Sequence, residues 1–199
     1  MERLRMIDPQ DWDPVLKNAV HPEERTDLEN GLMRFFAHRP ELALGLGAFS
    51  GALKRNRKLP ERLMELMRLR IAFHNQCRSC MAIRYTDAVN DGLTEDLVCS
   101  LEKPYEAPGL TDAERAAIRF GELLASNHLS IDDSVYAELH KHFTDGEIVE
   151  IGMYASLCVG LGRWAATLHM VEELPDAFQQ AEVGYGAITP WGNDAVIVR

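Results

Sequence analysis

Residues 59–80 of the chain read LPERLMELMRLRIAFHNQCRSC. The first part of this stretch is apolar on nearly every face of a helix, which is typical of a helix buried in a protein core. Pro60 suits the first turn of that helix, because a first-turn residue needs no N–H for an intrahelical hydrogen bond. The polar run at residues 74–76 interrupts the apolar pattern. We therefore predict a break there and a second helix that begins at Cys77.

Apolar residues recur at helical spacing over almost the whole chain, whereas alternating β-branched and aromatic runs long enough for strands are missing. The sequence therefore predicts an all-α protein. Thr111 with Glu114 and Thr144 with Glu147 fit the capping box, in which a hydroxyl and a carboxylate each accept from an unpaired backbone N–H. The predicted helices span residues 26–38, 41–54, 60–74, 77–91, 94–101, 112–126, 132–142 and 145–174.

A short similarity recurs at an offset of 85 residues: TDLE at 26–29 matches TDAE at 111–114, and Glu65 falls on Glu150. We interpret the chain as a single all-helical domain over residues 1–199 with two repeat-like halves, near 26–100 and 111–180. Chance similarity between two capped amphipathic helices is the alternative. Glycine and proline interrupt residues 184–199 too often for a helix, so we predict a C-terminal arm there, with Trp191 as an anchor on a neighbouring subunit.

The composition is that of an ordinary folded chain, with 199 residues of which 46% are hydrophobic and 26% charged. A net charge of −10 argues against binding to nucleic acid or to acidic membrane surfaces. No stretch approaches the roughly 20 apolar residues that span a bilayer, and the N-terminus lacks a signal-peptide core, so we expect a cytoplasmic protein. In a reducing compartment the 4 cysteines do not predict a disulfide framework.

Cys77 and Cys80 are the pair close enough in sequence to act together. At the start of a helix they would lie one turn apart, where the helix dipole and free backbone donors stabilise thiolates. A Cys80 thiolate could attack the O–O bond of a hydroperoxide and become a sulfenic acid, with which Cys77 condenses to a disulfide. A dithiol partner would then reduce the pair. The alternative is that both cysteines only fill space in the core.

Other uses of the pair fit the sequence less well. Structural zinc needs four ligands, and Cys99 and Cys158 are solitary, with no histidine at a matching spacing. Covalent haem attachment needs a histidine after the second cysteine, where this chain has Met81. A thioredoxin-like domain needs a βαβ frame, and the flanks here are helical. We therefore predict neither a metal nor a cofactor.

Glu65 shares a helical stripe with Leu69 and Ala72, so its carboxylate is predicted to point into apolar surroundings. Desolvation there would raise the pKa of Glu65 and make it a usable proton acceptor. The alternative is a plain ion pair with Arg62 or Arg68 on a solvated face.

These residues together resemble a known family. Glu65 stands twelve positions before Cys77, and Cys80 follows, between a Leu-Pro start and the run AVNDGLTE at 88–95. This pattern is similar to the alkylhydroperoxidase D-like branch of the carboxymuconolactone decarboxylase family over about residues 59–100. The resemblance implies an all-helical fold, homo-oligomers such as dimers, trimers or hexamers, and a peroxidase with Cys80 peroxidatic, Cys77 resolving and Glu65 in a proton relay. It also implies a lipoyl-bearing or thioredoxin-like dithiol protein as reductant.

The chain departs from the family pattern at Arg84, where a relay histidine stands in the family. On a continuous helix Arg84 would face both thiols, and its fixed charge would lower their pKa. A guanidinium cannot shuttle protons, so the relay would run through water or through His74. A pairing of Arg84 with Asp87 or Glu65 is the structural alternative.

We therefore expect a thiol-dependent peroxidase for organic hydroperoxides or hydrogen peroxide. Its candidate catalytic residues are Cys80, Cys77, Glu65, Arg84 and His74. A lactone decarboxylase and a non-catalytic redox-sensing oligomer are the alternative functions.

Overall fold

The computed structural model describes residues 3–179 and 188–199. These residues form twelve α-helices and two short strands, joined by 3-10 turns at Pro9–Asp11, Pro22–Glu24, Ser100–Glu102 and His128–Ser130. The elements, in chain order, are α1 (Pro14–Val20), α2 (Asp27–Asn30), α3 (Met33–Phe36), α4 (Pro40–Arg55), α5 (Glu61–Asn75), α6 (Arg78–Ala82), β1 (Ile83–Tyr85), α7 (Thr86–Asn90), α8 (Glu95–Cys99), α9 (Asp112–Ser126), α10 (Asp133–His140), α11 (Asp145–Leu168), α12 (Asp176–Gln179) and β2 (Val196–Val198).

Helix α5 is the centre of the fold, as its apolar sequence predicts. All ten of its residues from Leu63 to Ala72 are buried. One face packs with α9 and α11 in the largest core cluster, through Met67 and Ile71 among others. The opposite face packs through Leu66 and Leu69 against residues 88–118. A helix enclosed on both sides gives its end, where the cysteine pair lies, a rigid support.

Gly121 lets α9 approach α5 closely. A Cβ at this position would lie 2.7 Å from Cγ of Met67 and 3.1 Å from Cδ1 of Ile71. We predict that Gly121→Ala lowers the free energy of unfolding by about 1–3 kcal/mol through overpacking. Urea unfolding measures the loss. The control is Gly152→Ala in α11, whose Cβ meets nothing within 4 Å; equal stabilities for the two variants would contradict the close packing.

Local signals predicted several helices correctly. Helix α9 covers 112–126 as predicted, and the capping boxes at Thr111 and Thr144 are both present. The predicted helix 26–38 instead divides into α2 and α3 at Gly31, whose φ is +21°. Helix α11 ends at Leu168 rather than at 174, because His169 adopts a left-handed conformation. Helix α1 was not predicted.

The largest error concerns the predicted helix over 77–91. The structure divides it into α6, β1 and α7, because the backbone becomes extended at Ile83. Strand β1 pairs in parallel with β2, with Ile83 opposite Val196 and Tyr85 opposite Val198. Within the described residues the fold is therefore all-α apart from this one small sheet.

The C-terminal arm was predicted over 184–199, of which 184–187 lie outside the described residues. Residues 188–199 pack on their own chain beside the end of α5. Gln76 and Ile188 exchange two hydrogen bonds, Nε2 to O at 3.1 Å and N to Oε1 at 3.0 Å. The Trp191 ring lies 4.7 Å from the ring of Phe73. Trp191 thus contacts its own subunit, and its predicted role as an anchor on a neighbouring subunit stays a prediction.

No helix in the described parts of the chain combines the length and apolar character needed to cross a membrane. The proposed duplication of a helical unit stays a prediction.

Candidate active site

The two cysteines of the predicted pair are joined in a disulfide, with Cα atoms 5.2 Å apart. Cys77 is the N-cap residue of α6 and is fully buried, whereas Cys80 is partly exposed. The N–H of Cys77 donates to the carbonyl of Ala72 at 3.2 Å, which ties the motif to the end of α5. Helix α6 has only five residues, so its dipole contributes less to the thiols than a longer helix would.

Cys80 packs at the edge of an apolar cluster that includes Met81, Phe178 and Leu174. Ser79, between the two cysteines, lines a small cavity of about 20 Å³ on the same side of the molecule. A cavity of this size holds about one water molecule. Of the motif, Ser79 borders this space, and neither Cys77 nor Cys80 is among its lining residues.

Glu65 is buried, with 2% of its surface exposed. The predicted buried setting and the alternative ion pair are both present, because Arg68 is buried beside it. Arg68 Nε donates to Glu65 Oε2 at 2.6 Å, and Nη2 donates to Oε1 at 2.7 Å. Burial opposes the charge of Arg68, but Glu65 outweighs this effect and raises the pKa of Arg68. Glu65 and Arg68 therefore form a buried, bidentate salt bridge rather than an ion pair on a solvated face.

Arg68 also reaches the cysteine motif. Its Nη1 donates to the carbonyl oxygen of Cys80 at 2.7 Å, and its Nη2 donates to that of Ile83 at 3.0 Å. Sequence reasoning considered Arg68 only as an ion-pair partner. The signal that could have singled it out is a basic residue three positions after Glu65 on a helix that is otherwise apolar, since buried charges need partners.

The predicted placement of Arg84 is wrong. Helix α6 ends at Ala82, so the helical spacing that would turn Arg84 toward both thiols does not exist. Arg84 is 1% exposed and pairs with Glu95 at 2.9 Å, not with the predicted Asp87 or Glu65. Its five N–H groups are shared among the Glu95 carboxylate and the carbonyls of Met81, Ile83 and Pro190. Arg84 thus fixes β1 to the C-terminal arm.

His74 faces α9. Its Nε2 lies 3.3 Å from Oε1 of Glu122, which also accepts from Arg70 and Tyr105. Burial works against ionisation of Glu122, but these three side chains lower its pKa to about 2. Glu122 therefore stays a carboxylate and holds His74 on the α9 side of α5. A proton-relay role for His74 stays a prediction.

Three further titratable side chains surround the Glu65–Arg68 pair: Tyr85, Tyr154 and Cys158. Arg68 lies 5.1 Å from the centre of the Tyr85 ring, and the Tyr85 N–H points to Glu65 at 3.4 Å. Burial raises the pKa of both tyrosines. The two tyrosines therefore stay neutral, and the ion pair carries the charge of this region.

Burial also raises the pKa of Cys158, to about 12. We therefore predict that iodoacetamide at pH 8 labels Cys158 about 100-fold more slowly than the exposed Cys99, because the thiolate is the reactive form. Peptide mass spectrometry of the disulfide form compares the two sites in one sample. Equal labelling of the two cysteines in the folded protein would contradict the raised pKa of the partly buried Cys158.

The comparisons with known proteins agree with this geometry. The model of the carboxymuconolactone decarboxylase family matches residues 40–123, which contain Glu65 and the cysteine pair. An uncharacterised protein of Mycobacterium tuberculosis is 32% identical over 118 residues, or 57% of this chain. The chain spans only 40% of the length of that relative.

Solved structures show the same fold at low sequence identity. A peroxidase-related protein from Ralstonia eutropha JMP134, described as an alkylhydroperoxidase AhpD core, has a TM-score of 0.69 at 17% identity, over 89% of this chain and 94% of that one. The debrominase Bmp8 has a TM-score of 0.67 at 17% identity, over 84% of this chain and 90% of that one. Residues 40–123 are thus similar to the carboxymuconolactone decarboxylase family, and the described residues share the helical fold of the alkylhydroperoxidase AhpD core.

Proposed function

We propose that the protein is a thiol-dependent peroxidase that reduces hydrogen peroxide or organic hydroperoxides. The observation that carries this proposal is the cysteine pair itself: a buried Cys77 is bonded to a partly exposed Cys80, whose carbonyl accepts from Arg68 of the buried Glu65–Arg68 pair. The difference in exposure supports the assignment of Cys80 as the attacking residue, since a peroxidatic sulfur must meet its substrate.

In the proposed cycle, the Cys80 thiolate attacks the terminal oxygen of the hydroperoxide. The S–O bond forms as the O–O bond breaks, and the leaving alkoxide or hydroxide takes up a proton to become an alcohol or water. The Cys77 sulfur then displaces hydroxide from the Cys80 sulfenic acid, so that water and the disulfide form. A dithiol reductant returns both cysteines to thiols and becomes a disulfide itself.

We further propose that the reductant is a lipoyl-bearing or thioredoxin-like dithiol protein and that the cycle runs in the reducing cytoplasm. Partly exposed sulfur at Cys80 gives such a dithiol a site of attack. Cys77 is fully buried and offers none. The first mixed disulfide would therefore form at Cys80.

The homo-oligomer expected from the family resemblance is also a proposal, and α4 supports it. Among the described residues of this 16-residue helix only Ala43 is buried, although its sequence is PELALGLGAFSGALKR. Leu42 is 60% exposed and Phe49 is 37% exposed. We propose that copies of the chain cover this surface in a dimer, trimer or hexamer, because exposed Leu42 and Phe49, seven positions apart, lie on the same face of α4.

The proposed activity is tested with the fully reduced protein and a limiting amount of either hydrogen peroxide or cumene hydroperoxide. We expect one peroxide consumed for every two thiols lost, with no added reductant. Peroxide that disappears no faster than in buffer would contradict the proposal. It would leave the decarboxylase and the redox-sensing alternatives.

A further inference from the structure

A short helix leaves carbonyl groups without intrahelical partners, and α6 ends only two residues after Cys80. Two buried arginines donate hydrogen bonds to carbonyls in and just after α6. Arg68 donates to the carbonyls of Cys80 and Ile83, and Arg84 donates to those of Met81 and Ile83. Of the two, Arg68 is the one bonded to the backbone of Cys80 itself.

The side chain of Arg68 is held in place by contacts within α5, independently of the cysteine motif. It belongs to α5, it is 6% exposed, and Glu65 accepts from two donors, Nε and Nη2, on one edge of its guanidinium. A planar guanidinium held in this way has one orientation, so its remaining donors have fixed directions. The bond at 2.7 Å to the carbonyl oxygen of Cys80 therefore sets where the Cys80 backbone lies relative to α5.

We propose that Arg68 is the positioning residue of the peroxidatic cysteine Cys80. Arg68, rather than the predicted Arg84, then supplies the positive charge near the thiols. This inference rests on the proposed function, in which Cys80 is the residue that attacks peroxide. The Arg68 guanidinium brings a fixed positive charge to the backbone of Cys80, which favours the thiolate over the thiol when the pair is reduced.

Of the groups that face Arg68, Glu65 is the charged one, and it accepts from Nε and Nη2, which leaves Nη1 for the Cys80 carbonyl. Glu65 comes from the same helix, while the phenol of Tyr85 and the side chains of Tyr154 and Cys158 come from β1 and α11. These last three are neutral at working pH. Arg57 lies over the Tyr154 ring at 4.9 Å and pairs with Glu61.

The test is Arg68→Lys, which keeps a positive charge on α5 but loses the planar fork and the two carbonyl bonds that bring this charge to the Cys80 backbone. The readout is the rate of iodoacetamide labelling of Cys80 in the reduced protein as a function of pH, followed by peptide mass spectrometry. We expect the midpoint of this profile to rise by about one pH unit and labelling at pH 7 to fall about tenfold.

The matched control is Arg70→Lys. Arg70 lies on the same helix, is also buried, and also joins a carboxylate, Glu122, to a backbone carbonyl, that of Leu101. Those contacts lie away from the cysteine motif. A purely structural role for Arg68 would lower stability in both variants and leave the labelling midpoint of Cys80 unchanged in both, which would overturn the proposal.

If Arg68→Lys does not fold, the double variant Glu65→Gln with Arg68→Gln replaces the ion pair by a neutral pair without the contact to the Cys80 carbonyl, and the same rise is expected. Labelling of Cys80 by iodoacetamide needs no peroxide turnover. The proposed peroxidase activity and the proposed role of Arg68 can therefore be refuted independently. A parent protein inert to peroxide would refute the activity alone. An active parent whose Cys80 profile is the same in both lysine variants would refute the role of Arg68 alone.

Discussion

Replacing Cys80 by serine is expected to abolish the reaction of the reduced protein with peroxide, with a loss of at least about 1,000-fold in rate. The reason is that a serine hydroxyl at neutral pH has almost no anionic form, whereas the attack on the O–O bond needs a thiolate. Stopped-flow measurement of peroxide consumption with excess protein gives the rate for the first turnover alone.

Cys77→Ser is the matched control, because it removes the resolving thiol and keeps the attacking one. It should react with the first equivalent of peroxide at a rate near that of the parent and then accumulate Cys80 sulfenic acid, which dimedone traps. A Cys80→Ser protein that reacts as fast as the parent, or a Cys77→Ser protein that does not react, would reverse or refute the assigned roles.

Glu65→Leu is expected to lower the free energy of unfolding by about 3–5 kcal/mol. The substitution leaves Arg68 buried without its carboxylate partner, and an unpaired buried charge is among the largest single losses known in proteins. Arg68 is only 6% exposed, so water cannot replace the carboxylate. Urea unfolding of the disulfide form measures the effect.

The double variant Glu65→Leu with Arg68→Met separates pairing from packing. Removing both charges should restore a large part of the lost stability, since a buried ion pair contributes little relative to apolar residues of similar volume. The loss of unfolding free energy in the double variant is compared with the sum of the losses in Glu65→Leu and Arg68→Met. Equality of the two would show that the side chains act independently, contrary to the bidentate contact.

The parts of the fold that sequence reasoning predicted well are those set by neighbouring residues. The capping boxes at Thr111 and Thr144 start α9 and α11 at the predicted residues, because each box is complete within four positions. The burial of Glu65 followed in the same way from its stripe on an apolar helix. In these cases the helix start and the burial of the side chain are determined by residues within a few positions in the sequence.

The break after Ala82 was missed because its causes lie far away in the chain. Residues 77–91 have local helical spacing, yet β1 pairs with Val196–Val198, and Arg84 donates to Pro190 at a separation of 106 residues. No pattern within a helical window contains that information. The misplaced side chain of Arg84 and the unnoticed contact of Arg68 with Cys80 both follow from this one break.

The proposed peroxidase activity requires that peroxide reacts first at the Cys77–Cys80 pair. The direct test treats the fully reduced parent protein, with all 4 of its cysteines present, with a tenth of an equivalent of hydrogen peroxide and maps the oxidised peptides by mass spectrometry. We expect a Cys77–Cys80 disulfide to form first, while Cys99 and Cys158 stay reduced. Oxidation of the exposed Cys99 ahead of the pair would contradict it.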